Sequence, residues 1–391
     1  VKDDTREKSR PRNYFRYALL TFTAFLVLSL GFALIPRQDP EPAVPPFSEQ
    51  ARASALADTM RLRAASRELT ADASGAQRQL FSRTVTLLTT QAKALVLPAD
   101  NGPAGASAPS SPGRATASAT GPAAGSTGTA TATPAPVTVP ALVAGLSASG
   151  KQRLAQAEKA DGGMARLLAA VGTAQLLQAR SLAQASGTPV PALPQAPAPQ
   201  RTAADSCPAP ASIPAQPTQS APASQPSQTV QSAPGDAGTA SAEPGAASQA
   251  DALNRVVRTE VETVYGYQVA LTRLQGAAAE QASKLLASHE ALVAEAEGHS
   301  RVHCVPIPPR DPGYTLGTSF LKKPAAGLAS LEAGTLPVYG DLVALSDGPT
   351  RHWAISSLLT AAQRAISWGS DPGPVPGIVL DTTLLPTIPE E

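Results

Sequence analysis

The stretch Thr259–Leu274, TEVETVYGYQVALTRL, decides how the C-terminal third of this chain is read. Taken with the residues just before it, Leu253, Val257, Val264, Tyr267, Leu271 and Leu274 recur at helical steps of three, four and seven. That is the period of an amphipathic helix with one apolar face. Glu260 falls in line with the stripe, so this face carries a carboxylate among apolar side chains.

The same reading extends outward from this helix. Helices are expected at about 250–275, 279–304, 324–346 and 350–368, with Gly276 and Gly317 in the connections. Pro337 is expected to kink the third, because it lacks a backbone N–H and clashes with the preceding turn. Leu285, Leu292 and Ala296 place His289 in line on the second helix. Leu328, Leu336, Tyr339 and Val343 flank Glu332 on the third. Ile355, Leu359, Ala362 and Ile366 follow His352 on the fourth. Each helix then carries one Glu or His on its apolar side. Four of the six tyrosines, both tryptophans and all four histidines lie between Tyr265 and Trp368, so this segment has the large side chains a compact domain needs.

Elsewhere the composition thins. The chain has 39 prolines, 29 glycines and only 4% aromatic residues. Residues 98–138 and 188–249 are expected to be disordered linkers of Ala, Gly, Ser, Thr, Pro and Gln, too poor in large apolar side chains to offset the entropy of ordering. Between them, residues 48–97 and 139–187 each read as a helical hairpin. The first breaks near Asp72–Gly75 and the second turns at Gly162–Gly163. Residues 369–391 read as a flexible tail.

The N-terminal 16 residues carry six Lys or Arg against three Asp or Glu. Tyr17–Ile35, YALLTFTAFLVLSLGFALI, then runs without a charge for about the ~30 Å of a bilayer core. Residues 17–36 are therefore read as one transmembrane helix, followed by a proline-rich stalk at 37–47. The basic tail at 1–16 is placed in the cytoplasm and the bulk of the chain outside. The alternative reading is a cleaved signal peptide, for which Gly31-Phe32-Ala33 loosely fits the cleavage pattern. The net charge of +1 and the lack of a basic patch beyond the tail argue against a nucleic-acid partner. On the outer side, Cys207 and Cys304 are expected to pair in a disulfide; a reactive thiol or metal ligand is the alternative.

TEVETVYGYQVALTRL, SHEALVAEAE at 288–297, LEAGTLPVYGDLVAL at 331–345 and GPTRHWAISSLL at 348–359 together resemble an actinobacterial ferritin-like family known as domain of unknown function 4439. DGGMARLLAAVGTAQLL at 161–177 is similar to sequence that accompanies it. The resemblance implies an all-α chain ending in an up-and-down, ferritin-like four-helix bundle, and no established activity. Ferritin-like di-iron sites take a Glu from each of two helices and a Glu-x-x-His from each of the other two. The candidate metal ligands are then Glu260, His289, Glu332 and His352. The Glu of each Glu-x-x-His is missing: Leu286 and Pro349 stand there instead. Such a set suits two metals poorly. The competing reading is a degenerate bundle in which Glu260 and His289 satisfy each other and tyrosine hydroxyls complete the hydrogen bonding. Glu295, His299 and His303 form a second line at i, i+4 steps, read either as imidazoles favoured at a helix C-terminus or as a partial metal site.

No nucleophile elbow, Gly-rich phosphate loop or Cys-x-x-Cys occurs, so nothing points to an enzyme. The expectation is a membrane-anchored extracytoplasmic module with an interaction or envelope-structural role, no cofactor, and an envelope protein as possible partner. The alternative is a surface metal-binding protein with a degenerate site.

Overall fold

The computed structural model describes residues 17–25, 44–96, 136–194, 207 and 247–388. The expected linkers, the basic tail, most of the stalk and residues 26–36 of the expected span lie almost wholly outside these. Two units divide the chain, Val1–Pro46 and Phe47–Glu391. In the first, residues 17–25 are helical and their side chains exposed. Thr21 and Thr23 donate their hydroxyls to the carbonyls of Tyr17 and Leu19, each at 2.9 Å, so neither presents a free donor outward. Among the described residues no helix is long and apolar enough to cross a membrane.

The second unit is all-helical among its described residues. Its helices are α1 (Phe47–Asp72), α2 (Gly75–Leu95), α3 (Val139–Ala157), α4 (Gly162–Ser186), α5 (Gln249–Leu271), α6 (Gly276–Val302), the short α7 (Thr318–Lys322), α8 (Pro324–Leu345) and α9 (Gly348–Ser367). Local chemistry sets several ends. Ser248 and Asp251 cap α5 reciprocally as a capping box. Asp161 accepts from the Met164 N–H at the start of α4, and Gly187, at φ 68°, closes its other end. Pro337 lies inside α8, as expected.

In the C-terminal half α5 and α6 form one hairpin and α8 and α9 another. Contacts across the pairs fix the directions. Glu260 meets Tyr339 and Tyr267 meets Glu332, so α5 and α8 run antiparallel. Glu295 meets Trp353 and Gln281 meets Ser367, so α6 and α9 do too. The order is up, down, down, up, with a long connection over residues 303–323 from α6 to the diagonally opposed α8. This corrects the up-and-down expectation: two short turns and one long crossover do not permit a simple alternation.

The N-terminal half repeats the pattern. Arg153 reaches Ser54 and Asp58, and Gly145 approaches Leu62, so α1 and α3 are antiparallel. Gln175 meets Gln91 and Gln178 meets Thr84, so α2 and α4 are antiparallel. The long connection falls between α2 and α3. A buried polar residue again stands on each helix: Thr59, Gln91, Arg153 and Gln175.

The two halves share a core instead of forming separate pieces. One buried cluster contains Ala51, Leu95, Leu168 and Val171 from the first half with Leu253, Tyr339, Leu342 and Leu358 from the second. The start of α4 lies so close to the end of α8 that a Cβ at Gly162 would stand 2.5 Å from the Ala344 carbonyl oxygen. Residues 369–388 are not the flexible tail expected from their Pro and Gly content. Val375 is buried in the shared core, Gln91 donates to the Pro374 carbonyl at 2.8 Å, and Arg166 donates to the Gly377 carbonyl at 2.6 Å. Gly377 has φ 77°, and a Cβ there would lie 2.5 Å from the Leu336 carbonyl oxygen. The segment straps α2, α4 and α8 together.

Candidate functional site: the buried centre of the C-terminal helices

α5, α6, α8 and α9 each send one acidic or basic side chain into their common core. These are Glu260, His289, Glu332 and Arg364, none more than 4% exposed. His289 stands between the carboxylates. Its Nδ1 is 2.6 Å from Glu260 Oε2 and its Nε2 is 2.9 Å from Glu332 Oε1. Arg364 Nε donates to Glu332 Oε2 at 2.9 Å. Two tyrosines complete the shell: Tyr339 donates to Glu260 Oε1 at 2.7 Å and Tyr267 to Glu332 Oε1 at 2.6 Å. Trp368 Nε1 donates to the Tyr267 hydroxyl at 2.7 Å.

The electrostatics follow from burial and pairing. Burial alone would push the His289 imidazolium towards deprotonation, but hydrogen bonds to Glu260 and Glu332 outweigh it and raise its pKa. Burial would raise Glu332, yet the His289 bond and the Arg364 charge hold it below the usual carboxylate range. Arg364 is raised: burial opposes its charge, and the nearby Glu332 and Glu260 charges prevail. Burial, reinforced by the adjacent carboxylate, raises both Tyr267 and Tyr339 and keeps them as donors. The raised pKa favours the form of His289 in which both ring nitrogens donate, one to each carboxylate.

This donor set does not fit a pair of metal ions. Both Glu332 oxygens and both Glu260 oxygens accept hydrogen bonds, and His289 has no free lone pair. A fixed cation, Arg364, sits against the carboxylate a second metal would need. Among the described residues no group of three or more His, Cys, Asp or Glu is placed to hold a metal ion.

Of the residues singled out from sequence, Glu260, His289 and Glu332 meet here. His352 does not. It is half-exposed at the start of α9, with Nδ1 2.7 Å from Glu158 Oε1 in the connection after α3. Of the stripe drawn through Ile355, Leu359, Ala362 and Ile366, the first three are buried and Ile366 is 47% exposed; the buried face also takes in Ala354, Leu358, Ala361 and Ala365. The inward charge of α9 is Arg364, which sequence reasoning missed. It lies in helical register with Trp353 and Ser357, both buried, and that register was the available signal.

The second line of residues closes the far end of the same seam. Trp353 Nε1 donates to Glu295 Oε2 at 2.7 Å. His299 Nδ1 and His303 Nε2 both face Thr350 Oγ1, at 3.1 and 2.8 Å. Cys304 follows at the αL position of the α6 end, with φ 55°, and is bonded to Cys207.

Residues 252–379 match the model of a protein family described as Domain of unknown function (DUF4439). The match takes in α5 to α9 and most of the strap. No curated protein and no solved structure matches the chain.

Proposed function

We propose that this chain is a membrane-tethered, extracytoplasmic protein whose helical body acts as a non-enzymatic interaction or envelope-structural module. In this reading its C-terminal half is a ferritin-like four-helix bundle whose centre is closed by its own side chains.

The observation that carries the reading is the Arg364–Glu332–His289–Glu260 array. Where a ferritin-like bundle gathers carboxylates and imidazoles around metal, this one has a buried, mutually hydrogen-bonded set. The up-down-down-up order with one long crossover supports the ferritin-like assignment, since that fold class has one such connection. The tether rests on the basic residues before Tyr17 and the uncharged run after it. The helical backbone at residues 17–25 and the inward-bonded hydroxyls of Thr21 and Thr23 agree with it.

The test is folding without metal. The full chain, purified in mild detergent and unfolded and refolded in the presence of a strong chelator, should regain its helical signal and its unfolding midpoint. A body that needs added iron, manganese or zinc to refold would overturn the reading.

A further inference from the structure

We infer that the proline-rich run Val305–Pro312, in the crossover from α6 to α8, is a pre-ordered ligand strip for a partner domain with an aromatic-lined, acid-rimmed groove of the SH3 type.

The sequence restricts this backbone before any packing does. Pro306, Pro308, Pro309 and Pro312 each hold φ at about −65°. Val305, Ile307, Pro308 and Asp311 each precede a proline, which keeps them out of the helical region. These restrictions favour the polyproline II helix, with about three residues per turn. In the structure residues 305–311 are neither helix, strand nor turn. Their burial follows a period of three: Val305 and Pro308 are buried, while Pro306, Ile307, Pro309 and Arg310 are exposed. One edge of the strip is seated, with Val305 in the shared core, and the other two face outward.

Both ends are pinned. Cys304 is bonded to Cys207, and the Val305 N–H donates to the Ser300 carbonyl at 2.8 Å. Beyond the far end the Tyr314 ring lies against Tyr265, with centroids 5.6 Å apart. A strip held in this way loses little further freedom on binding, and proline-rich ligands draw their affinity from that saving.

The outward chemistry selects the partner. Pro306 and Pro309 stand one turn apart with exposed rings, and Ile307 between them is 36% exposed. Such rings dock between flat aromatic side chains, the recognition used for Pro-x-x-Pro segments. The carbonyls of residues 306–309 accept no hydrogen bond from the described residues, so they can take donors from the groove's Trp or Tyr side chains. Arg310 follows Pro309 directly. Its side chain is 66% exposed and meets Glu297 at 3.1 Å, while Glu297 has Arg301 as a second partner. A surface pair of this kind is weak. A carboxylate on the groove's rim can take Arg310 in a bidentate bond and leave Glu297 paired. The strip gives the proposed interaction role a surface; it rests on that role, and on neither the closed centre nor the tether.

The test is binding of purified SH3-type domains, a set whose grooves carry aromatic side chains and an acidic rim, to the full chain in mild detergent. At least one should bind saturably. Pro306→Ala/Pro309→Ala should weaken that binding by about tenfold or more, and Arg310→Glu by a similar factor. Both variants should keep the native helical signal, since the exchanged side chains face outward. Lys284→Glu, the same charge change about five turns back along α6, should leave binding unchanged. Replacing the groove's aromatic residues by alanine in the probe domain should abolish binding, a readout independent of the chain's own folding. No binding across the set would overturn the proposal. So would binding undiminished in Pro306→Ala/Pro309→Ala, or weakened as much by Lys284→Glu as by Arg310→Glu. Self-association of the chain that is lost in the proline variant would assign the strip to a second copy and overturn the proposal too. Each of these outcomes leaves metal-free refolding untouched, so failure here and failure of the closed centre are distinguishable.

Discussion

Arg364 on α9 donates from Nε to Glu332 Oε2 on α8 at 2.9 Å, and both side chains are almost wholly buried. A guanidinium and a carboxylate removed from water are tolerated only when each is paired and hydrogen-bonded. Glu332 meets that condition through Arg364, His289 and Tyr267, while Nη2 of Arg364 is buried without a hydrogen-bond partner among the described residues. Arg364→Met should leave Glu332 short of its partner and lower stability by about 3–5 kcal/mol, the usual cost of stranding a buried charge. Arg364→Met combined with Glu332→Leu should recover a large part of that loss, since no lone carboxylate remains. Denaturant unfolding of the two single variants and the double variant checks this. Strictly additive losses would mean that the two residues do not act as a pair.

The centre also sets a pH dependence. The folded-state pKa of His289 is raised above 6.5 by its two carboxylate partners. The folded state therefore holds the proton more tightly than the unfolded chain. The stabilisation is fully present below about pH 6.5 and is lost as pH rises through the raised folded-state value. The stability gap between the native protein and His289→Gln should be widest in mild acid and should narrow in alkali. Unfolding midpoints of both proteins across that range measure it, and a gap that widens with pH would contradict the assigned charge state.

The strap makes its own prediction. Gly377 sits at φ 77° with the Leu336 carbonyl oxygen where a Cβ would go. Gly377→Ala should cost about 1–3 kcal/mol through backbone strain and the forced shift. Arg166→Ala, which removes the donor to the Gly377 carbonyl and one of the two arginine partners of Asp341, should make residues beyond 370 easier to cleave. Limited proteolysis with mass mapping of the fragments reads both variants. Unchanged cleavage in both would mean that Val375 and the Gln91 bond to the Pro374 carbonyl suffice to hold the strap.

The Cys207–Cys304 bond joins residues 97 apart. On the chain-entropy model, closing a loop of this length stabilises by up to about 4–5 kcal/mol. Reduction of the native chain should lower the unfolding midpoint and expose two thiols to alkylation. Two alkylatable thiols before reduction would remove the bond, and a reducible doubling of mass would reassign it to a covalent dimer.

Much of the fold was legible in the sequence. The helical period at Leu253, Val257 and Val264, the break near Gly75 and the turn at Gly162 all reflect local rules of helix formation, which a sequence carries directly. Glu260, His289 and Glu332 were legible for the same reason, as polar residues on apolar stripes. Arg364 was not. A long cationic side chain is ordinarily assigned outward because it can reach water from a partly buried position. The carboxylates of Glu332 and Glu260 make the inward rotamer favourable, and the nearer in sequence, Glu332, is 32 residues away. His352 failed for the converse reason: its i+3 and i+7 relation to Ile355 and Leu359 put it near the stripe, and tertiary packing gave it Glu158 from the other half. The docking of Val375 and Gly377 was hidden because a Pro/Gly-rich segment has no period of its own and is ordered entirely by the surfaces it meets.

The tether is tested by topology. In the proposed orientation, with the basic residues before Tyr17 inside, protease added to intact cells should cut within residues 101–135 or 188–249. Protection of both segments until lysis would reverse the orientation.

In the proposed reading the C-terminal helices form a ferritin-like bundle closed by its own charges, where ferritin-like di-iron proteins hold metal. The direct measurement is the metal content of the full chain after exposure to excess iron, manganese or zinc and removal of loosely bound ions. The native protein should retain far less than one ion per chain, and Glu260→Ala should change its stability without changing that value. Retention of about two iron ions per chain, lost in Glu260→Ala and Glu332→Gln, would contradict the account.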